Sequence, residues 1–196
     1  VEELLKDMPK QKNIKLTMYQ GLEDIFKYHG LEETVASISD RQVELPSGGY
    51  LVFDYTEAMT VVDVNSGKFT SRESLEDTIM QIHREAALEI ANQLRLRDIG
   101  GIIIVDFIDM HTDEHKAEIM GILQKAFAGD KMQPKLQGIT ALNLVEITRK
   151  KSRQNLSSVL YAPCPVCSGS GRIQSQLTLT LELKRRLRSL LKRRTS

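Results

Sequence analysis

The sequence predicts an α/β fold in which a mixed sheet is flanked by helices. Two apolar, β-branched runs, Thr60 to Gly67 and Ile102 to Asp109, have the composition of strands. A long segment with apolar residues at the helical period lies between them, so a strand, a crossover helix and a second strand follow one another. Such a crossover makes the two strands parallel, though not necessarily neighbours. The continuous Val and Ile content of each run is typical of a strand that is buried on both faces.

Shorter elements surround this central unit. Before the crossover we predict strands over 12–19, 50–55 and 59–64 and helices over 20–28 and 32–39. The strands over 50–55 and 59–64 are separated by only three residues, so we expect an antiparallel hairpin. After the second run we predict a helix over 113–127, a strand over 137–142 and a helix over 144–150.

The crossover helix has the clearest pattern in the chain. Thr70-Ser-Arg-Glu73 matches a capping box. The apolar residues behind it recur every three or four positions, at Leu75, Ile79, Ile82, Ala86, Ile90 and Leu94. The tail is ambiguous, because its leucines alternate at the strand period over 177–183 and follow the helical period over 183–191. We favour a helix there, since Leu, Arg and Lys are strong helix formers.

Length and composition describe a globular chain. With 196 residues and 41% hydrophobic content it can bury a core. No stretch reaches the roughly 18 apolar residues that span a bilayer, and no charged and then apolar leader opens the sequence. We therefore expect a cytoplasmic protein, or a plastid protein if a transit peptide has been removed. The chain opens at Val1 in the middle of a pattern, which suggests a fragment of something longer.

Positive charge is concentrated late in the sequence. The formal net charge of +1 does not by itself predict a nucleic-acid partner. However, seven Lys or Arg and no acidic residue lie between Lys184 and Arg194, and Arg149 to Arg153 forms a second cluster. Such clusters attract phosphates by charge, and they can equally be solvated surface that aids solubility. Both interpretations stay open for each cluster.

Asp63 and Asp106 each stand near the end of one of the two β-branched runs. A carboxylate in this place is held by a rigid strand where solvent begins. Mg²⁺ prefers oxygen ligands, and one or two protein carboxylates with waters and a substrate phosphate suffice to hold it. Asp also favours turns for conformational reasons alone. The residues themselves leave the metal site and the two turn formers as equal alternatives.

The two cysteines form Cys164-Pro-Val-Cys167, followed by Gly169 and Gly171, which is the shape of a zinc knuckle. Zinc requires four ligands, and none of the four histidines has a spacing that completes the set. A second copy of the chain could complete it across a two-fold axis, whereas a free thiol pair is the alternative. His111 and His115 have a spacing that could bind a metal, but the H-E-x-x-H order is absent, which favours surface histidines.

Four segments in the same order resemble the ribonuclease E / ribonuclease G family of bacterial and plastid endoribonucleases. They are Leu45-Pro-Ser-Gly-Gly49, Asp63-Val-Asn-Ser-Gly67, the run from Arg95 to Met110, and Cys164-Pro-Val-Cys-Ser-Gly-Ser-Gly171. The resemblance extends from about residue 14 to about residue 183. It implies that the fold is the DNase I-like subdomain of that family. It also implies a Mg²⁺-dependent endoribonuclease that cleaves single-stranded RNA to 5′-phosphate and 3′-hydroxyl ends, in RNA processing and decay.

The resemblance assigns roles by position. Asp63 and Asp106 match the two catalytic aspartates that bind Mg²⁺, and Asn65 matches the residue that orients the attacking water or the scissile phosphate. We expect Asp109 to cap the following helix rather than to support the site. The cluster predicted to contact RNA near the catalytic edge consists of Arg149, Lys150, Lys151 and Arg153. No glycine-rich segment matches a nucleotide-binding pattern, so we expect no nucleotide cofactor.

The resemblance further implies that Cys164 and Cys167 of two protomers share one structural Zn²⁺, which gives a homodimer or a higher oligomer. The chain then divides into an N-terminal segment of a truncated core (1–44), a catalytic α/β subdomain (45–160), a zinc link (161–173) and a basic C-terminal helix (174–196). The S1 and 5′-sensor modules of the family have no counterpart in this sequence. One alternative function is a zinc-linked platform that binds RNA and dimerises without turnover, and another is a structural zinc protein unrelated to RNA.

Overall fold

Six strands form one mixed sheet in a computed structural model of the protein, which describes residues 17–67, 75–151 and 155–194. The strands are β1 Gln42–Glu44, β2 Tyr50–Tyr55, β3 Met59–Asn65, β4 Gly101–Asp106, β5 Lys135–Ile139 and β6 Leu144–Arg149. Their order in the sheet is β1-β2-β3-β4-β6-β5. β3 and β4 are parallel, and the remaining pairs of described strands are antiparallel. The predicted mixed sheet and the hairpin of β2 and β3 are confirmed.

The helices within the described residues are α1 Ile25–Tyr28, α2 Glu32–Ser37, α3 Leu75–Leu96, α4 Asp113–Ala126, α5 Leu156–Leu160 and α6 Gln176–Arg194. The predicted crossover helix corresponds to α3, although its capping box lies outside the described residues. The helix predicted over 20–28 is reduced to the single turn of α1. In the strand predicted over 12–19, residues 12–16 lie outside the described residues and 17–19 form no strand.

The core lies on one face of the sheet. Leu51, Phe53, Val62, Ile103 and Val105 point to that face and are at most 1% exposed. Buried residues of two helices complete this core. They are Ile82, Ala86, Ile90 and Leu94 of α3, which recur at the helical period, and Ile119 and Leu123 of α4. Each fully buried Leu or Ile side chain contributes about 1.5–3 kcal/mol of transfer free energy.

The opposite face of the sheet is open. Residues of β3 alternate between exposed or half-buried and buried along the whole strand, and Ile102 of β4 is 47% exposed. The prediction that both runs are buried on both faces is therefore wrong. The exposed positions of β3 and β4 include Asp63 and Asp106. A polar residue at these positions avoids the desolvation cost that the buried face would impose.

The segment from Leu144 to Arg149 is a strand, which corrects the predicted helix over 144–150. Val145, Ile147 and Arg149 alternate toward the buried face, whereas Glu146 is exposed. β6 inserts between β4 and β5 and runs antiparallel to β4, so Leu144 pairs with Asp106. The pattern has period two, and its Val, Ile and Thr content suits a strand.

Arg149 is a buried structural residue. Its side chain is 4% exposed, and its Nε donates to Oδ2 of Asp130 at 3.0 Å. Its Nη1 donates to the carbonyl oxygen of Ile99 at 2.8 Å and to Oδ1 of Asp98 at 3.3 Å. Burial raises the pKa of Asp130, but the hydrogen bonds from Arg149 and from the Met132 amide outweigh it and hold that pKa below its usual value. The prediction that Arg149 contacts RNA is corrected by this burial.

The remainder of the predicted RNA-contacting cluster lies at the wrong end of the sheet. Arg149 pairs with Gly101, five residues along β4 from Asp106, which corresponds to about 17 Å at the rise of a β-strand. Lys150 and Lys151 are exposed next to it, and Arg153 lies outside the described residues. The expectation that this cluster is near the catalytic edge is therefore wrong, because β6 is an antiparallel strand.

The tail is helical from Gln176 to Arg194, and its leucines are exposed, with Leu177 at 70% and Leu190 at 60%. None of the helices that the structure describes combines the length and the apolar content needed to cross a membrane.

Replacing Arg149 should destabilise the fold. In Arg149→Met the buried carboxylate of Asp130 loses its partner, which typically costs about 3–5 kcal/mol of unfolding free energy. The matched control is Arg41→Met, because Arg41 pairs with Asp54 at the surface, at 2.6 Å and 70% exposed. Chemical denaturation should show a large loss for the first variant and little change for the second. Equal losses would contradict the structural role of Arg149.

Candidate active site

Asp63 and Asp106 lie side by side. The parallel register of β3 and β4 runs from Met59 paired with Ile102 to Asp63 paired with Asp106. Adjacent strands are about 4.8 Å apart, and both residues occupy exposed positions on the open face. The sequence predicted only that these two residues share an edge of one sheet. The structure places them on neighbouring strands and at the same level.

The two carboxylates repel one another. Burial raises the pKa of Asp106, and the negative charges of Asp63 and Asp109 raise it further. Asn65 follows Asp63 by two residues and therefore projects from the same face, where its Nδ2 donates to Oδ2 of Asp63 at 2.9 Å. The ends of β3 and β4 thus place two carboxylates and one amide on the open face, and the charge of Asp109 acts on Asp106.

These residues fit a Mg²⁺ ion in an open site. Mg²⁺ is bound by hard oxygen ligands and keeps several of its waters, so two carboxylates are sufficient when a substrate phosphate completes the shell. A cation between Asp63 and Asp106 would relieve the repulsion that raises the pKa of Asp106. Within the described ranges, no group of three or more His, Cys, Asp or Glu has the arrangement of a complete metal cage.

The loop from Leu45 to Gly49 packs against the end of β3. A Cβ on Gly49 would lie 2.9 Å from the carbonyl oxygen of Asn65, and a Cβ on Gly67 would collide with the carbonyl oxygen of Gly48. These close approaches explain why glycine occupies both positions. The loop is thereby fixed next to Asn65, two residues beyond Asp63.

Glu85 of α3 holds the same loop. Its Oε2 accepts from the backbone amide of Ser47 at 2.8 Å, and its Oε1 accepts from Nε2 of Gln81 at 2.8 Å. Burial raises the pKa of Glu85, but these hydrogen bonds bring it below the usual value, so the carboxylate is charged at neutral pH. This role could not be predicted from the sequence, because a Glu on an amphipathic helix is ordinarily solvated.

Asp109 is not the helix cap that was predicted. Thr112 is the N-cap of α4, and its Oγ1 accepts from the backbone amide of His115 at 3.3 Å. Asp109 is instead an exposed residue whose charge acts on Asp106. Asp113 and Glu114 in the first turn of α4 supply the negative charge that a helix N-terminus favours.

Cys164 and Cys167 are free thiols within one turn. The Ser168 amide donates to the carbonyl oxygen of Cys164 at 2.7 Å, which closes the turn. Backbone amides of Gly171 and Gly169 donate to the sulfur of Cys167 and lower its pKa. Because the thiolate is the metal-binding form, this turn fits half of a tetrahedral zinc site.

His83 of α3 is fully buried, and neither ring nitrogen has a hydrogen-bond partner among the described residues. Its ring packs edge-on against Phe107, the residue after Asp106, with ring centroids 5.4 Å apart and an angle of 88° between the planes. Burial lowers the pKa of His83 to about 4, and the charge of His115 lowers it as well. The imidazole is therefore neutral at pH 7. A single His on an apolar helix face is usually only packed, so its sequence position does not predict this environment.

Comparison with known proteins gives consistent matches. The model of the Ribonuclease E/G family matches residues 1–152. Ribonuclease G of Haemophilus influenzae is 42% identical over 187 residues, which are 95% of this chain and 38% of that protein. Ribonuclease G of Escherichia coli strain K12 is 43% identical over 173 residues, 88% of this chain and 35% of that protein. Ribonuclease E of a Synechocystis strain is 42% identical over 149 residues, 76% of this chain and 22% of that protein. The chain therefore spans less than two-fifths of the length of these relatives.

The buried imidazole of His83 should make stability depend on pH. In the unfolded chain His83 binds a proton below pH 6.5, whereas in the folded chain it stays neutral down to about pH 4. The unfolding free energy should therefore fall as the pH decreases from 6.5 to 4, by up to about 3 kcal/mol for this group. In His83→Phe the fall over this range should be smaller, as measured by denaturation at each pH. An unchanged slope in His83→Phe would contradict the assignment.

Proposed function

The chain belongs to the Ribonuclease E/G family, and from that premise we propose that it is the Mg²⁺-dependent catalytic part of an endoribonuclease. The reaction is hydrolysis of single-stranded RNA to 5′-phosphate and 3′-hydroxyl ends, in RNA processing and decay. The observation that supports this most strongly is the level pairing of Asp63 with Asp106 on parallel strands. Two exposed carboxylates at this spacing are suited to hold one hard cation.

Asp63, Asp106 and Asn65 each have a distinct role in the proposed reaction. Asp63 and Asp106 would hold the cation through two carboxylates, which leaves most of its coordination positions to waters and to a substrate phosphate. When bound, Mg²⁺ stabilises negative charge on the attacked phosphate and lowers the pKa of a bound water. Asn65 fixes the orientation of Asp63 through the 2.9 Å hydrogen bond, and it lies where it can also orient the water or the phosphate. The loop 45–49 and Glu85 hold Asn65 in place.

RNA reaches this edge from the open face. Phosphate contact by Lys150 and Lys151 would involve nucleotides remote from the cleaved bond, because these lysines lie at the other end of β4 and β6. The exposed acid Glu146 lies between the two ends and disfavours a phosphate track along β6. We therefore assign positioning of the scissile phosphate to Asp63, Asp106 and Asn65, and not to the predicted basic cluster.

The test of the proposal is removal of one charge at a time. Asp63→Asn and Asp106→Asn should each lower Mg²⁺-dependent cleavage of a single-stranded RNA by roughly a thousandfold or more, since charge stabilisation by a bound metal is worth several kcal/mol. The matched control is Asp54→Asn. Asp54 is an exposed residue of β2 that lies opposite Val61 and not opposite Asp63. This variant should cleave as the unchanged chain does.

Two outcomes separate this proposal from its alternative. Undiminished cleavage in Asp63→Asn or Asp106→Asn would refute the catalytic assignment. If the unchanged chain binds RNA with a steep salt dependence and yields no product in Mg²⁺, it is an RNA-binding and dimerisation platform without turnover.

We further propose that the thiols of two protomers share one Zn²⁺ and link a homodimer. The turn at Cys164 and Cys167 supplies two of the four ligands that zinc requires, and a two-fold axis supplies the same two again. The amides of Gly169 and Gly171 support the thiolate form of Cys167. In this proposal, residues 161–173 are the zinc link.

Metal content and mass test the dimer. We expect one zinc per two chains and a dimeric mass in solution, and Cys167→Ser should lose the zinc and become monomeric, because two thiolates cannot hold the ion alone. Val166→Ala is the control, since Val166 lies between the cysteines and is 77% exposed. Zinc at one per chain, or a dimer that survives Cys167→Ser, would contradict the shared site.

A further inference from the structure

A cavity of about 230 Å³ lies beyond the end of β4, on the helical side of the sheet. Three segments contribute to it: one stripe of α3, the loop after β4, and the first turn of α4. Ile79 and Met80 of α3 and Met110 of the loop form apolar walls. A cavity of this size suits a fragment such as a single aromatic heterocycle rather than a large ligand.

The polar lining consists of hydrogen-bonding groups and negative charge. His83 lines the cavity with both ring nitrogens unpartnered among the described residues. Buried polar groups nearly always have partners, so a buried imidazole without one, beside a cavity, indicates a place for a ligand or for water. His111 and His115 add two more imidazoles, and Glu76 and Asp109 add two carboxylates.

This lining distinguishes among ligands. The carboxylates of Glu76 and Asp109 are acceptors only and repel a phosphate. A complete metal cage is not formed by these or other residues in the part of the chain that the structure describes. A flat ring with donor groups on its edge fits instead: the apolar side chains pack on its faces, and the carboxylates accept from an amino group.

The cavity lies next to the end of β4 that carries Asp106. Asp109 follows Asp106 by three residues, and its charge raises the pKa of Asp106. His83 packs against Phe107, which directly follows Asp106. The end of β4 therefore separates the carboxylates of Asp63 and Asp106, on the open face, from the cavity on the helical side of the sheet. A nucleotide next to the scissile phosphate could turn its base around this strand end.

We propose that the cavity binds the base of a nucleotide adjacent to the scissile phosphate and prefers a base that carries an exocyclic amino group. This inference rests on the proposed endoribonuclease function and adds a specificity site to it. Uracil is the least favoured base, because it has no amino group and its single edge donor, N3–H, lies between two carbonyl oxygens that the carboxylates repel. Single-stranded RNA permits such insertion, since its bases are unpaired and can be splayed out.

Cytidine and uridine are the matched probes, because they differ in the amino or carbonyl group at C4 and neither has a phosphate. The ring C–H signals of the histidines are followed by NMR at pH 7, without divalent ions, as each nucleoside is added to the full chain. Cytidine should shift the signals of His111 and His115 in a saturable way, and uridine should bind roughly tenfold more weakly, as expected for one charge-assisted hydrogen bond. His29 lies in a different part of the chain and should not respond.

Variants of two glutamates give the control. Glu76→Gln removes a carboxylate that lines the cavity and should reduce the preference for cytidine over uridine. Glu114→Gln removes an exposed carboxylate of α4 that does not line the cavity, and it should retain the preference. Both positions are exposed, so both variants should fold.

The result separates this inference from the proposed function. Absence of any shift with cytidine, equal binding of cytidine and uridine, or an equal loss of preference in both variants overturns the base site. RNA cleavage on the same samples is read independently. Cleavage without nucleoside binding leaves the function intact and refutes the site, whereas selective cytidine binding without cleavage supports the site and refutes the function.

Discussion

The parallel pairing of β3 with β4 determines the geometry of the candidate site. It places Asp63 level with Asp106, and these like charges repel. Two carboxylates stay side by side only if the packing beneath them supplies the free energy. The crossover helix α3 does so, because its buried stripe packs under both strands. The proposed cation would relieve this repulsion, and functional residues often oppose stability in this way.

In the two proposals, the two sides of the end of β4 have separate roles. The open face leaves Asp63, Asp106 and Asn65 accessible to a phosphate, and the buried face brings His83 against Phe107 just behind them. Asp109 is related to both sides, because its charge raises the pKa of Asp106 and it lines the cavity. A fold with helices on both faces would have covered the carboxylates.

Sequence periodicity correctly predicted the helices and strands that have a clear periodic pattern. It failed for segments whose secondary structure depends on pairing with distant strands. The stripe of α3 and the hairpin of β2 and β3 follow from periodicity, so both were predicted. The segment 144–149 is short and its residues suit either structure, and only the space between β4 and β5 makes it a strand. Arg149 was assigned to RNA because burial cannot be read from a run of basic residues. The roles of His83 and Glu85 depend on partners distant in sequence, which one chain without its fold does not reveal.

Binding of a paramagnetic ion would test whether Asp63 and Asp106 hold a divalent cation. Mn²⁺ occupies oxygen sites suited to Mg²⁺, and it broadens NMR signals of nearby nuclei even when binding is weak. Trace Mn²⁺ should broaden the amide signals around Asp63 and Asp106 selectively, excess Mg²⁺ should restore them, and Asp63→Asn should abolish the effect. Selective broadening elsewhere on the described surface, or broadening at this edge that survives Asp63→Asn, would contradict the account that these two carboxylates jointly hold the catalytic cation.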